Sequence, residues 1–246
     1  MKVGLFVPCY IDQFYPNVAV STLQLLEKLG MDVEFPLNQT CCGQPMANSG
    51  CEDDAEKTAA LFVKNFKDCE YIVCPSGSCT LHVRDHYKHF TMDAAERKTC
   101  ENTYELCEFL VKVLKIEKLE SNFPHKVGLH LSCHGLRGMR LGKPSETVEE
   151  DFSFMRDLLD MVKGIELVEL ARKDECCGFG GTFAVSEEAV SVKMGTDRTR
   201  DHIQSGAEVI TGGDMSCLMH MEGLLNRQKQ PVKVMHIAEI LNGNRG

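Results

Sequence analysis

Eight cysteines recur as two sets of four in matching context. Cys9, Cys41, Cys42 and Cys79 form the first set, and Cys133, Cys176, Cys177 and Cys217 the second. Lys2-Val3-Gly4-Leu5 leads into Cys9, and Lys126-Val127-Gly128-Leu129 leads into Cys133 at the same offset. Cys41-Cys42-Gly43 and Cys176-Cys177-Gly178 follow, then Ser78-Cys79 with His82 and Ser216-Cys217 with His220. Four thiols grouped twice point to two soft-metal sites, with iron–sulfur chemistry first among the candidates. Buried apolar thiols are the alternative. Adjacent Cys-Cys pairs followed by Gly, twice and in the same order, argue against it.

Spacing narrows the chemistry. Between Cys9 and Cys41 lie 31 residues, and between Cys42 and Cys79 lie 36; the matching intervals of the second set are 42 and 39. Such gaps fit neither zinc fingers, whose ligands come in local Cys-x-x-Cys pairs, nor the close cysteine runs of bacterial ferredoxins. Soft thiolates accept iron or zinc, so the second set admits zinc. Cys74, five residues before Cys79, has Gly212 as its counterpart. It is a candidate ligand to the first set or a buried thiol at a strand end. His82 and His220 each stand one helical turn after a motif cysteine, as candidate ligands or as donors to a sulfur or carbonyl.

Other residues near the sets carry two readings each. His134 reads as an outer partner or as solvent-facing. Cys51, Cys69, Cys100 and Cys107 have no counterparts and read as structural thiols. The N–H groups of Gly178-Phe179-Gly180-Gly181 are free to meet cluster sulfurs or an anion. Phe183 stands where a G-x-G-x-x-G fingerprint needs its last glycine, so this is not a dinucleotide loop. Arg137 and Arg140 read as solvated surface or as a landing site for an acidic substrate.

Composition sets the frame for this chemistry. The 246-residue chain is long enough for two units, and its apolar fraction of 43% supplies ordinary cores. A net charge of -9 argues against a nucleic-acid partner. Thirteen cysteines would need an oxidising compartment to pair as disulfides. No basic leader with an apolar core and cleavage site opens the chain, and no apolar run approaches the ~20 residues of a membrane span. A cytoplasmic protein is therefore expected, in which cysteine clusters bind metal or catalyse.

The elements that must position the thiols alternate between strand and helix. Residues 3–7 read as a strand before Cys9. Residues 17–29 read as a helix with Asn17 as N-cap and Gly30 just past its end. Residues 32–35 read as a strand, and a loop over 37–44 carries Cys41 and Cys42. Ser49-Gly50-Cys51-Glu52 has capping-box spacing before a helix with Ala55, Ala59, Phe62, Val63 and Phe66 on one stripe. Residues 71–73 form a strand before Cys79. The second half repeats the order, with strands at 127–131, 166–170, 209–211 and 232–235. Helices are expected within 146–162, over 186–204, from Cys217 and to Leu241. The division is a first unit 1–95, a helical junction 96–124 with Leu106, Cys107, Leu110, Val111 and Leu114 on one side, and a second unit 125–246. The pattern predicts two pseudo-symmetric Rossmann-like α/β units with parallel sheets. All eight motif cysteines then fall beyond strand carboxyl ends, where open α/β sheets gather ligands.

Gln39-Thr40-Cys41-Cys42-Gly43, Pro75-Ser76-Gly77-Ser78-Cys79, Ser132-Cys133-His134 and Cys176-Cys177-Gly178-Phe179-Gly180-Gly181-Thr182-Phe183 resemble the CCG family, named for its Cys-Cys-Gly triplets. That family includes the cysteine-rich subunit of heterodisulfide reductase and the iron–sulfur subunits of glycolate oxidase and anaerobic glycerol-3-phosphate dehydrogenase. The resemblance covers nearly the whole chain and is closest to the lactate-utilisation branch. It implies [4Fe–4S] clusters, cubane or noncubane, on the eight cysteines, and electron transfer during oxidation of L-lactate to pyruvate. It also implies partner subunits, flavin- or ferredoxin-like, through which a peripheral membrane association is compatible. The family places a further cysteine where this chain has His82 and His220, so each set keeps the four thiols of an ordinary Cys₄ cluster. Two other readings stand beside this one: a catalytic cluster that reduces a heterodisulfide or quinone, and a zinc-stabilised binding module.

Overall fold

The computed structural model describes residues 1–243. Its frame is two four-stranded, all-parallel sheets of identical topology. Strands β1 (Lys2–Leu5), β2 (Asp32–Glu34), β3 (Tyr71–Cys74) and β4 (Thr103–Glu105) are ordered β2-β1-β3-β4. Strands β5 (Lys126–Leu129), β6 (Glu166–Leu167), β7 (Val209–Gly212) and β8 (Lys233–His236) are ordered β6-β5-β7-β8. Register repeats as well: Lys2 pairs with Asp32 and Val3 with Tyr71, as Lys126 pairs with Glu166 and Val127 with Val209. The predicted α/β class and the duplication are both present.

Helices fill the crossovers: α1 (Cys9–Phe14), α2 (Pro16–Lys28), α3 (Gln44–Asn48), α4 (Glu52–Phe66), α5 (Gly77–Leu81), α6 (Ala94–Glu101) and α7 (Leu106–Glu108). The second half adds α8 (Phe154–Asp160), α9 (Phe183–Ser186), α10 (Glu188–Gln204), α11 (Met215–Arg227) and α12 (Ile237–Asn242). The α4 stripe of Ala55, Ala59, Phe62, Val63 and Phe66 is buried as its spacing predicts. Gly30 closes α2 in the left-handed conformation that an L-residue avoids.

Several local expectations are corrected. Helix α2 starts at Pro16, whose fixed φ suits the first helical position, so Asn17 lies inside the helix rather than capping it. Ser49 caps nothing: its hydroxyl donates to the Pro45 carbonyl, and α4 begins after Cys51 without a side-chain cap. The helix expected within 146–162 is present as α8, where the Ser153 side chain accepts from the Arg156 N–H. Strand β6 keeps only Glu166 and Leu167 of the predicted run. The junction is not wholly helical. It contributes β4, which pairs with β3 and completes the first sheet, before α7 runs into a π-helical turn, Phe109–Val113.

The two halves share one apolar core. Val3, Leu5 and Leu26 of the first half belong to the same buried cluster as Val127, Leu158 and Ile240 of the second. Polar ties cross the same seam: the Tyr15 hydroxyl donates to Glu222 at 2.7 Å, and Lys28 Nζ donates to the Asn242 carbonyl at 2.9 Å. Among the described residues, no helix is long and apolar enough to cross a membrane.

Candidate metal centre

The carboxyl ends of both sheets face one cavity of about 490 Å³, and all eight motif cysteines line it. Cys9 opens α1 directly after β1, and Cys133 follows β5 in the same way. Cys79 and Cys217 sit in the first turns of α5 and α11, just past β3 and β7. Cys41-Cys42 and Cys176-Cys177 lie on the loops after β2 and β6. The topology thus brings together thiols far apart in sequence, and sets the two groups across a common space.

Within the first set, the Cys9 thiol approaches the Cys41 sulfur at 3.7 Å, and Cys42 approaches Cys79 at 3.4 Å. The glycine of each triplet adds a main-chain donor: Gly43 N–H points at the Cys41 sulfur at 3.4 Å, and Gly178 N–H at the Cys176 sulfur at 3.3 Å. Both glycines have φ near +85°, the left-handed region that lets the amide turn back on the preceding cysteine pair.

These contacts polarise the first three cysteines of each set alike. Hydrogen bonds from Cys42 and then Cys9 hold the Cys41 thiol down to about 3, outweighing burial. Hydrogen bonds from Cys133 and then Cys177 hold Cys176 down to about 2. Cys9 and Cys133 are pushed up, first by the bonds they give to those thiolates and then by burial. In the first set hydrogen bonds from Cys42 and then Cys74 also hold Cys79 well down, so that set offers two lowered thiols and the second offers one, Cys176. From such thiolates a soft metal displaces the protons of the thiols around them. The thirteen cysteines are free, and the all-sulfur donors converging on one space fit the thiolate ligation of zinc or of an iron–sulfur cluster.

Of the remaining candidates, the exposed His134 lines the cavity, and so do Phe179, Gly180 and Gly181 of the Gly-rich loop. Cys74 is fully buried at the end of β3, and burial pushes its thiol up. His82 is buried and stacks on His86 with ring centroids 4.7 Å apart. Burial and then the His86 charge hold it down to about 4. His220 turns its Nε2 toward the Ser191 carbonyl at 3.4 Å. Cys100 and Cys107 are buried, Cys69 is partly so, and Cys51 is exposed at the start of α4, unlike a structural thiol. Arg137 is engaged by Glu146 at 2.6 Å and Asp174 at 3.0 Å, and Arg140 by Glu149 at 3.0 Å. Both arginines are therefore committed to carboxylates of the chain.

Two residues at the site were not singled out from the sequence. A ring nitrogen of His130 lies within 4.8 Å of the Cys177 and Cys217 sulfurs. Burial, then the Arg198 charge, hold this histidine down to about 3, so it is neutral. The one available signal was that His130 stands where the first half has Phe6. Asp214, buried before α11, accepts from the Ser76 hydroxyl at 2.8 Å, the Ser78 N–H at 3.0 Å, the Ser78 hydroxyl at 2.9 Å and the Ser132 hydroxyl. It ties the loops before Cys79 and Cys133 to its own.

Paired parallel sheets with a four-thiol set at each carboxyl edge define a duplicated, cysteine-rich α/β protein whose thiols are placed as metal ligands would be. The family model for the cysteine-rich CCG domain matches residues 3–84 and again 127–222, one match per sheet. The chain belongs to this cysteine-rich CCG family. It is 44% identical to lactate utilization protein A of Bacillus subtilis (strain 168) over 247 residues, covering 98% of this chain and 99% of that one. Similarity to the proteins of the same name from Halalkalibacterium halodurans (41%) and Exiguobacterium sp. (43%) also covers 98% of this chain and 97% of each of theirs. A hypothetical protein from Helicobacter pylori shares the fold at a TM-score of 0.65 and 14% identity; the match covers all of this chain and 49% of that one.

Proposed function

We propose that this chain is an iron–sulfur electron-transfer subunit of a cytoplasmic oxidoreductase complex that converts L-lactate to pyruvate. It would hold [4Fe–4S]-type clusters on Cys9, Cys41, Cys42 and Cys79, and on Cys133, Cys176, Cys177 and Cys217. The observation that carries this reading is the convergence of all eight cysteines on one cavity. The names of the relatives bring in lactate. Bound clusters would supply single-electron acceptance and donation. The chain's own part is to fix the sulfurs, to direct Gly43 and Gly178 N–H groups at thiolate charge, and to hold the sets in a low-dielectric seam. Its Gly-rich loop is no dinucleotide site, so the reading assigns hydride handling to a flavin-like partner subunit, with a ferredoxin-like partner passing single electrons.

One observation extends zinc, as a second reading, to the first set as well as the second. Sulfurs 3.4 and 3.7 Å apart are near the edge of a tetrahedral zinc site, roughly 3.8 Å for Zn–S bonds of ~2.3 Å. Anaerobic purification with iron, sulfide and zinc analysis separates the readings. Iron with labile sulfide, reduced by half in either Cys42→Ser or Cys177→Ser, is the expected result. Zinc without labile sulfide would sink the electron-transfer reading, and full iron in both variants would sink the ligand assignment.

A further inference from the structure

The halves differ most behind their cysteines. In the first half, Phe6 packs edge-on against Phe62 and Phe66, with ring centroids 5.1 and 5.9 Å away. Phe6 follows Gly4 by two residues, and a side chain at Gly4 would strike Phe66. In the second half, His130 follows Gly128 by two, and a side chain at Gly128 would strike His202. Arg198 precedes His202 by four residues, as Phe62 precedes Phe66. An apolar aromatic trio is thus replaced, position for position, by His130, Arg198 and His202.

Arg198 is fully buried and its hydrogen bonds fix its direction. Its guanidinium donates to the Arg172 carbonyl, to the Lys173 carbonyl at 3.3 Å and to Asp201 at 3.3 Å. Its Nε–H donates to His130 Nδ1 at 3.2 Å. Arginine has no acceptor and stays protonated, so His130 Nδ1 must present its lone pair. A neutral His130 then carries its proton on Nε2. That nitrogen is buried and has no partner within the protein, while a ring nitrogen of the same residue is within 4.8 Å of the Cys177 and Cys217 sulfurs. A buried N–H left unpaired is costly, and here the place for its acceptor is the second cysteine set.

We propose that His130, oriented by Arg198, is a donor rather than a ligand, and that its Nε2 proton makes the second site more oxidising than the first. This rests on the cluster reading above. Hydrogen bonds to sulfur stabilise the reduced, more negative state of a thiolate-bound centre and so raise its potential. The first half has only phenylalanine at the matching positions. An electron delivered to the first site would pass to the second, which is reduced as the first is reoxidised. Asp201 balances the Arg198 charge at 3.3 Å, so what this trio brings to the second site is a directed N–H rather than a net charge.

A reductive titration followed by EPR on the anaerobically purified full chain tests this. Two midpoints are expected. His130→Phe should lower only the higher one, changing the reduced-to-oxidised ratio about tenfold at fixed potential, about 59 mV for one electron, with iron and sulfide unchanged. His130→Gln, which keeps an N–H donor, should recover part of the shift. An unmoved midpoint at full iron content overturns the proposal. Loss of one cluster's iron in both variants also overturns it, by making His130 a ligand. A chain with zinc and no labile sulfide would refute the cluster reading and with it the claim about potential. The donor assignment is still tested there, without any variant, by long-range ¹H–¹⁵N correlation on the zinc-loaded chain. A proton on Nε2 upholds it, and one on Nδ1 overturns it.

Discussion

Ser76 and Asp214 occupy equivalent places in the two halves, each three residues before the last cysteine of its set, and the Ser76 hydroxyl donates to Asp214 Oδ1 at 2.8 Å. The same carboxylate holds Ser78 and Ser132, so one buried acid organises the loops that present Cys79, Cys133 and Cys217. Asp214→Ala strips the donors on these loops of their acceptor and should cost roughly 3 kcal/mol in denaturant unfolding. Ser76→Ala, which removes one of these bonds, should cost about 1 kcal/mol. Metal content should fall for both sets in the aspartate variant, because both sides of the seam lose the same anchor. Loss confined to one set would show that the loops are held independently.

The triplet glycines give an unequal pair of substitutions. A methyl group on Gly178 would lie 2.7 Å from the Ser191 carbonyl, part of the main chain of α10. On Gly43 the nearest atom is the Thr58 hydroxyl, a side-chain atom held to the Ala55 carbonyl by one hydrogen bond, which a change of rotamer can move while main chain cannot move so. Both changes also force an L-residue to positive φ. Gly178→Ala should therefore cost roughly 3 kcal/mol and empty the second set, and Gly43→Ala about 1 to 2 kcal/mol. Thermal unfolding with metal analysis of the two variants side by side reads the difference; equal losses would refute the steric argument.

Acid should weaken the fold through its buried imidazoles. Burial holds His236 down to about 4, and its Nδ1 accepts from the Ala238 N–H at the start of α12. Between the ordinary histidine range near 6.5 and that lowered value, the unfolded chain binds a proton that the folded chain refuses. Stability from this group is full above about 6.5 and is lost as pH falls toward 4. His236→Asn keeps a capping acceptor but cannot titrate, so it should flatten the stability profile over that window by up to about 1.4 kcal/mol per pH unit. Guanidinium unfolding at several pH values checks it, and a profile unchanged from the parent chain would count against it.

Cys74 and Cys79 should separate cleanly despite their closeness in sequence. Cys79 lines the cavity and Cys74 does not. Cys74→Ala should retain full metal and lose about 1 kcal/mol of packing. Cys79→Ala should empty the first set. Metal loss in the Cys74 variant would restore that residue as a fifth ligand.

The duplication made much of this fold legible. Matching Lys-Val-Gly-Leu runs located β1 and β5, and the thiols at their ends located the sheet edge that gathers ligands. Strand β4 was hidden because three residues, Thr103-Tyr104-Glu105, are too short to show alternation beside a strongly helical stretch. The start of α2 was misplaced because Pro16 and Asn17 are both credible starting residues and only the main-chain path decides between them. His130 was passed over for a different reason. An isolated histidine between Leu129 and Leu131 reads as core, and its orientation depends on Arg198, 68 residues away. His82 and His220 drew attention through their spacing from cysteines, yet spacing along a helix does not set which way a ring turns.

The Ser76–Asp214 contact also says something about covalent linkage. In a dimer of identical units, the residue at this crossing would meet its own copy. Two serines would leave the amide and hydroxyls around them without a strong acceptor, and two aspartates would repel at close range. A donor facing an acceptor at that place requires the two copies to be encoded separately while folding together. Joining the units in one polypeptide therefore removes a constraint that exact symmetry imposes, and the pair at the seam is free to be complementary instead of alike.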